Sequence, residues 1–241
     1  KVGMMVTLND LASAGAEPVG VLLTALLPEE ITEPEIRSMM QQIDRECEKY
    51  HVQVMGGHTE VTKVVSQPVL TVTGIGKVKE DAMISTAGAK PGDDIIAKEK
   101  EEQLLTRYPK KLIRTAQDMD QYLSVVPEAA VAVKTGVHAM HDVTEGGIFG
   151  AFWEMAAASG VGLEIDLKKI PIRQESVEIC EFFGINPYEL ISSGSMLMAA
   201  PDGNLLVRNL EKAGIAATVV GKATEGNDRI LLNEEERRFL E

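Results

Sequence analysis

Three short segments of the chain place acidic or imidazole side chains beside glycine and other small residues. They are Asn9–Ala16 (NDLASAGA), Gly56–Glu60 (GGHTE) and His141–Gly147 (HDVTEGG). Each follows an apolar run that predicts a buried strand, so we expect each to form a loop at the end of a strand. Asp10 and Asp142 are candidate metal ligands there, and the glycines would let the backbone approach an anion closely.

Each segment also has a purely structural interpretation. The small-residue stretch beside Asp10 can be a helix that this residue caps. The paired glycines of the second segment can form a tight turn between strands. Asp142 or Thr144 can cap the helix predicted over Ile148–Ser159, although the amides at the start of that helix could equally bind phosphate.

The two aspartates indicate what could join the segments if the fold brings them together. Two carboxylates about 4 Å apart repel by about 4 kcal/mol at an effective dielectric constant of about 20. A divalent cation would relieve that repulsion, and oxygen ligands combined with phosphate are typical of Mg²⁺. The sequence has neither a GxxxxGK[ST] phosphate loop nor a GxGxxG pattern after its first predicted strand. We therefore expect any bound phosphate to be held through Mg²⁺ at Asp10 and Asp142.

Two other kinds of site have less support. His138 and His141 are three residues apart, but no cysteine pair is available to complete a tetrahedral zinc site. Cys47 occupies an apolar position of a predicted helix, where a thiol behaves as a small hydrophobic group. Cys180 has acidic neighbours, which disfavour a thiolate nucleophile.

The composition is that of an acidic globular protein. Of the 241 residues, 44% are hydrophobic and 25% are charged, and the formal net charge is −13. This charge repels nucleic acid and anionic membrane surfaces, so we expect neither as a partner. The two cysteines fit a reducing cytoplasm, and no apolar run reaches the roughly 20 residues of a membrane span.

Alternating strands and helices must position the three segments, which predicts an α/β fold. Val2–Leu8 and Val19–Leu27 are apolar runs that predict two buried strands. Glu33-Pro34-Glu35 begins a long helix, with acidic residues at its positive end. Apolar residues at helical spacing follow at Ile36, Met39, Met40, Ile43 and Cys47.

The turn-rich stretch Ala87–Asp93 predicts a division between an N-terminal domain, residues 1–86, and a C-terminal domain, residues 87–241. In the second half the pattern predicts helices around Glu101–Arg114, Pro127–Val137 and Glu175–Phe183, and a charged helix over Glu234–Glu241. A charged run follows Ile96 without any turn residue. We expect from this that segments of the polypeptide are missing from the sequence at that junction and at its ends.

Four segments in this order resemble the AIR synthase-related (PurM-like) superfamily. They are Asn9–Pro18 (NDLASAGAEP), Gly56–Glu60 (GGHTE), Asp142–Gly147 (DVTEGG) and Ile191–Met198 (ISSGSMLM). Together they span nearly the whole chain, and the resemblance is closest to the hydrogenase-maturation (HypE) branch. It implies two α/β domains: an N-terminal sheet that forms a barrel across a homodimer, and a C-terminal mixed sheet with helices.

The resemblance also implies ATP and Mg²⁺ in a cleft between the domains, where a carbonyl or amide oxygen of an acceptor is activated by phosphorylation. Asp10 and Asp142 would be metal-binding and catalytic residues, and His58 would be a third catalytic position, although many members have aspartate there. The nucleotide would contact Asn9, Gly56, Gly57, Thr59, Thr144, Gly146 and Gly147. Hydrogenase-maturation proteins would be possible partners. Two alternatives stay open: a small-molecule kinase or cyclo-ligase of the same superfamily, and a non-catalytic nucleotide-binding regulatory protein.

Overall fold

The computed structural model describes residues 2–98, 123–172, 177, 180, 181 and 183–240. The helix predicted around Glu101–Arg114 lies outside these residues, as does most of the one predicted around Glu175–Phe183. None of the helices in these described residues is both long enough and apolar enough to cross a bilayer.

The N-terminal part is a sheet covered on one face by two helices. Its strands are β1 (Glu17–Leu27), β2 (Gln53–Val61) and β3 (Val69–Lys77), and its helices are α1 (Val2–Ser13) and α2 (Glu33–Tyr50). The central strand β1 runs parallel to β2 and antiparallel to β3. Alternate residues of β1 are buried against both helices, because side chains along a strand point to opposite faces.

The prediction of a strand over Val2–Leu8 is wrong, because this segment belongs to α1. A short apolar run is compatible with a buried strand or a buried helix, and packing decides between them. Met4, Leu8 and Ala12 recur every four residues and are all buried, so the run presents one helical face to the core.

The long helix predicted from Glu33 is confirmed as α2. Its start is fixed by Thr32, whose backbone N–H and hydroxyl donate to the Glu35 carboxylate at 2.8 and 2.7 Å. These hydrogen bonds hold the pKa of Glu35 below its ordinary value, since they favour the ionised form. The helix ends at Tyr50, and the following residue, His51, takes the left-handed conformation with φ 55°.

The loop predicted at Gly56–Glu60 is instead the middle of the continuous strand β2. Gly57 makes this possible, because it adopts φ 142° and a Cβ at that position would lie 1.8 Å from the carbonyl oxygen of Leu23. Gly57 therefore allows β2 to approach β1 closely, and the glycine pair does not turn the chain.

The C-terminal part is a mixed sheet with helices on both faces. Among the described residues its strands are β4 (Asp94–Lys98), β5 (Ala139–Val143), β6 (Gly162–Asp166), β7 (Ser195–Ala200), β8 (Ala217–Thr224), β9 (Arg229–Asn233) and β10 (Glu236–Phe239), in the order β10-β9-β6-β8-β4-β7-β5. The helices are α3 (Val126–Thr135), α4 (Gly147–Ser159) and α5 (Gly203–Lys212). Helix α4 packs on one face of the sheet, and α3 and α5 pack on the other.

Two further predictions are corrected in this part. The first residues of the predicted loop His141–Gly147 belong to strand β5, which pairs with β7. The charged segment predicted as a helix over Glu234–Glu241 forms strand β10, which pairs with β9 across a turn in which Glu234 has φ 57°. All four residues of β10 are exposed at the edge of the sheet, so a charged sequence meets no burial cost there.

Asn9 joins the two parts of the molecule. Its side-chain amide donates to the carbonyl oxygen of Leu123 at 2.7 Å, and its side-chain oxygen accepts from the amide of Val125 at 2.9 Å. Only 2% of Asn9 is exposed, and Val125 directly precedes α3. Both hydrogen bonds are therefore largely shielded from water, and they fix α1 against the start of α3.

We expect Asn9→Ala to lower the free energy of unfolding by about 2 kcal/mol, because it leaves the buried amide of Val125 without its acceptor. Urea unfolding of both proteins measures this difference. The control is Asn204→Ala, which removes the same side chain from an exposed position of α5 and should change the stability by less than about 0.5 kcal/mol. Equal losses in both variants would contradict the role assigned to Asn9.

Candidate functional site

Asp142 lies near the end of β5, and the alternation of this strand decides which way it faces. Met140, two residues earlier, belongs to the core beneath α3 and α5, whereas Ala139 and Val143 belong to the core beneath α4. Asp142 is therefore on the α3 side of the sheet, where α1 contacts β5. It is buried.

Ser13, in the last turn of α1, connects this carboxylate to the other predicted ligand. The Ser13 hydroxyl lies 3.4 Å from Oδ1 of Asp142 and 3.0 Å from the carbonyl oxygen of Asp10. Burial raises the pKa of Asp10, the charge of Asp142 raises it further, and His141 acts in the opposite direction. The fold thus brings the two predicted carboxylates close enough to repel each other.

His141 is held on the opposite face of β5. Its Nε2 lies 2.7 Å from Oε2 of Glu154 on α4, and its Nδ1 lies 3.2 Å from the hydroxyl of Thr86. Because both ring nitrogens have partners, the imidazole has a fixed orientation beside the aspartate pair. Its effect on Asp10 is to lower the pKa of that carboxyl, against the effects of burial and of Asp142.

The residues after Asp142 form the entry to α4. Gly146 and Gly147 both have positive φ, at 76° and 60°, and a Cβ at Gly147 would lie 2.5 Å from the carbonyl oxygen of Tyr188. The carbonyl of Thr144 accepts hydrogen bonds from the amides of Gly147 at 3.2 Å and Ser192 at 3.4 Å. Gly147 therefore lets segment 188–190 pack directly against the start of the helix.

The second predicted segment lies elsewhere. His58 pairs with Thr24, so its side chain is on the face of the sheet away from the helices, and its Nε2 is 3.5 Å from Oε2 of Glu60. All of β2 is exposed. Among the described residues, no hydrogen bond or ion pair joins Asp10 or Asp142 to the predicted residues of β2, which are Gly56, Gly57, His58 and Thr59.

The two aspartates suit a cation that is only partly coordinated by protein. The part of the chain that the structure describes has no group of three or more His, Cys, Asp or Glu side chains that could hold a metal ion. Two carboxylates with room for water and phosphate are the set that Mg²⁺ commonly uses. The raised pKa of Asp10 indicates an electrostatic cost that such an ion would relieve.

Sequence reasoning missed Ser13, Thr86 and Glu154, which contact the aspartate pair or His141. Ser13 could have been found, because it lies three residues after Asp10 and so on the same face of a helix. The strand interpretation of Val2–Leu8 hides this relation, because it does not place Asp10 and Ser13 on one helix. Thr86 and Glu154 carry no local signal, since only the packing of α4 brings them to His141.

The chain matches the AIR synthase-related protein family over both of its parts. Residues 1–78 match the N-terminal domain of that family, and residues 93–232 match its C-terminal domain. Together with the described structure, this confirms the predicted α/β fold. The domain boundary predicted near residue 86 stays a prediction.

Among curated proteins, the chain is 26% identical over 239 residues to a putative hydrogenase expression/formation protein of Methanocaldococcus jannaschii, covering 94% of this chain and 70% of the relative. It is 26% identical over 238 residues to the carbamoyl dehydratase HypE of Rhodobacter capsulatus, covering 92% and 69%. It is 28% identical over 236 residues to a thiamine-monophosphate kinase of Methanospirillum hungatei, covering 93% and 73%. The chain spans between 59% and 70% of the length of the hydrogenase-maturation relatives.

Solved structures have the same fold. The hydrogenase maturation protein HypE in complex with ATP superposes with a TM-score of 0.83 at 19% identity, covering 100% of this chain and 78% of that one. HypE from a HypE–HypF complex superposes with a TM-score of 0.83 at 19% sequence identity, covering 100% of this chain and 83% of that one. Thiamine monophosphate kinase of Aquifex aeolicus gives 0.75 at 21%, covering 95% and 80%.

We expect Asp10→Asn to stabilise the protein increasingly as the pH rises. The raised pKa means that folding disfavours the ionised carboxylate. This cost is absent below the ordinary value of 3.8, grows as the pH rises through the higher folded value, and is complete at neutral pH. Urea unfolding of both proteins in metal-free buffer, from about pH 3 to about pH 7, measures the difference.

A variant with the opposite sign provides the control. The pKa of Glu35 is lowered in the folded state, so Glu35→Gln should become less stable, relative to the unchanged protein, as the pH rises. A stability difference for Asp10→Asn that does not depend on pH would contradict the raised pKa of Asp10, to which burial and the charge of Asp142 both contribute.

Proposed function

Because the chain belongs to the AIR synthase-related family, we propose that it is an ATP-dependent, Mg²⁺-requiring enzyme of the HypE type. It activates a carbonyl or amide oxygen of its acceptor by phosphorylation, and the oxygen then leaves as phosphate. The observation that carries this proposal is the approach of Asp10 and Asp142, which come from different parts of the chain and interact electrostatically. Further support comes from the carbamoyl dehydratases among its relatives and from the similar HypE structure that contains ATP.

Asp10 and Asp142 would hold the ion and, through it, the phosphates of ATP. Mg²⁺ bound between them would neutralise charge on the phosphate oxygens during transfer. Ser13 holds the carboxylate of Asp142 toward α1. Asn9 has both of its polar groups bonded to segment 123–125, so we assign it the positioning of Asp10 rather than a contact with nucleotide.

Two backbone segments would accompany the phosphates and the nucleoside. At Gly146 and Gly147 the positive φ angles and the missing side chains permit a close approach to the start of α4, and Thr144 lies just before them in the chain. Strand β2 is at the edge of its sheet, so one side of its backbone is free of strand pairing among the described residues. We propose that Gly56, Gly57 and Thr59 contact the nucleotide there.

His58 lies on the same strand, and we propose it as a third catalytic position. It is exposed beside Glu60 and has no bond to either aspartate among the described residues. The proposal for His58 therefore requires the nucleotide or acceptor to extend from the aspartate pair to β2. We further propose that the boundary between residues 1–86 and 87–241 separates the two halves of this site.

A small-molecule kinase is the second candidate, and the similarity to thiamine-monophosphate kinase favours it. The chemistry of the product distinguishes the two. A kinase leaves the γ-phosphoryl group on its acceptor, whereas a dehydratase releases it as inorganic phosphate when the activated oxygen departs. Analysis of the labelled product from ATP with labelled γ-phosphate decides between them.

We expect Asp142→Asn to weaken the binding of ATP in the presence of Mg²⁺ by at least about tenfold, because it removes a charged ligand without changing the size of the side chain. Isothermal titration calorimetry measures the affinities. Asp44→Asn makes the same chemical change on the exposed face of α2 and should bind like the unchanged protein. Equal affinity in Asp142→Asn would remove this residue from the site.

We propose a homodimer as the active form. The face of the N-terminal sheet away from the helices carries exposed apolar side chains, among them Leu22, Met55, Val69 and Ile75. An apolar sheet face of this kind is typical of an interface with another copy. The similar HypE structure with HypF supports a hydrogenase-maturation protein as a further partner. A chain with only two cysteines, far apart in sequence, supports a reducing cytoplasm.

We expect Leu22→Glu to convert the dimer to a monomer, since it places a charge in the middle of this apolar face. Sedimentation velocity measures the mass of the particle. Val64→Glu introduces the same charge at a residue that is 81% exposed in the turn after β2, and it should leave the dimer intact. A monomeric unchanged protein, or a dimer in both variants, would contradict the proposed interface.

A further inference from the structure

A buried ion pair lies beside the proposed site and has no role in the function as described so far. Nζ of Lys98, at the end of β4, is 2.7 Å from Oε1 of Glu128 in the first turn of α3. Their side chains are only 9% and 6% exposed. Removing two charges from water costs as much as the attraction returns, or more, so stability alone does not account for such a pair.

The pair is also incompletely satisfied. Oε2 of Glu128 is buried and has no hydrogen-bond partner among the described residues. An apolar pair of similar size would avoid this cost. The feature that an apolar pair could not supply is the second bond of the ammonium group: Nζ of Lys98 also donates to the carbonyl oxygen of Gly194 at 2.8 Å.

Gly194 belongs to a turn that contacts the entry to α4. The amide of Ser195 donates to the carbonyl of Ser192 at 3.0 Å, which closes the turn, and Gly194 has φ 93°. The amide of Ser192 in turn donates to the carbonyl of Thr144 at 3.4 Å. Lys98 is thereby linked to the segment that follows Asp142.

The strand register places the pair next to the aspartates. Ala97 pairs with Leu197, so Lys98 lies beside Met196, and Met196 pairs with Asp142 on the next strand. Lys98 and Asp142 therefore flank Met196 on the face of the sheet that α3 covers. On its other side, Glu128 belongs to the helix whose start is fixed to α1 by Asn9.

We propose that Lys98 and Glu128 are positioning residues for the nucleotide site. Glu128 fixes the ammonium group, the ammonium group holds the carbonyl of Gly194, and the turn at 192–195 sets the place of Thr144 relative to α1. The inference rests on the proposed function, because the site that it positions is the proposed site for ATP and Mg²⁺.

The test replaces the pair with apolar residues in Lys98→Met/Glu128→Leu. This variant leaves no buried charge unpaired, so its free energy of unfolding should not fall. The Gly194 carbonyl loses its donor, and we expect the dissociation constant for ATP with Mg²⁺ to rise about tenfold, as for other residues that orient ligands. The single variant Lys98→Arg keeps a charged donor, so its affinity for ATP with Mg²⁺ should be much closer to that of the unchanged protein than to that of the double variant. Lys222→Met, which removes an exposed lysine bonded to Asp94, is the control.

Amide hydrogen exchange without nucleotide gives a second, independent measurement. Exchange at Ser192 and Ser195 should be at least about tenfold faster in the double variant, and unchanged in Lys222→Met. A folded double variant with unchanged exchange and unchanged affinity overturns the inference. If the unchanged protein does not bind ATP, the proposed function fails, and the exchange rates alone decide whether the pair positions the turn. If the double variant does not fold, Lys98→Arg and Glu128→Gln are measured in the same way, and unchanged exchange in Glu128→Gln overturns the inference.

Discussion

Repulsion between two carboxylates is the constraint on which the site depends. Asp10 and Asp142 come from opposite parts of the chain, and the fold holds them close enough that the charge of Asp142 raises the pKa of Asp10. Such a repulsion destabilises a protein unless a cation offsets it. The surrounding structure must therefore be rigid enough to keep the two groups together when no ion is bound.

That rigidity comes from packing and from a few buried polar contacts. The side chains of α1 pack on both the first sheet and α3, and Asn9 adds two hydrogen bonds across the junction. On the opposite side, β5 is fixed by its pairing with β7 and by the partners of His141. The two aspartates therefore belong to separate layers that are each well anchored. Asp142 is buried in its layer, whereas Asp10 is exposed on α1.

Local patterns in the sequence predicted the elements that carry strong periodic or capping signals. The amphipathic helix α2 and the strand β1 are of this kind. The meeting of Asp10 and Asp142 is not, because the sequence offers it only as a condition for a metal site, and Asp10 lies inside α1 rather than after a strand. Val2–Leu8 was misassigned because a mainly apolar run of seven residues does not distinguish a buried strand from a buried helix. The segment Gly56–Glu60 of β2 was misassigned because paired glycines often form a turn. The neighbouring carbonyl of Leu23, which leaves no room for a Cβ at Gly57, is not visible in the sequence. Lys98 and Glu128 are 30 positions apart in sequence, and no local sequence pattern indicates that they form an ion pair.

The hydrogen bonds of Asn9 join residues that are far apart in sequence, and this has a consequence for how the protein folds during synthesis. Its partners Leu123 and Val125 are 114 and 116 residues further along the chain, so they leave the ribosome well after the first sheet is complete. Until then the side chain of Asn9 lacks its two backbone partners, and Ala12 is not yet covered by α3. A nascent N-terminal half would therefore expose an apolar surface and an Asn9 side chain without its hydrogen-bond partners. Packing of the C-terminal half against this surface is a slow step, because the residues that meet are far apart in sequence.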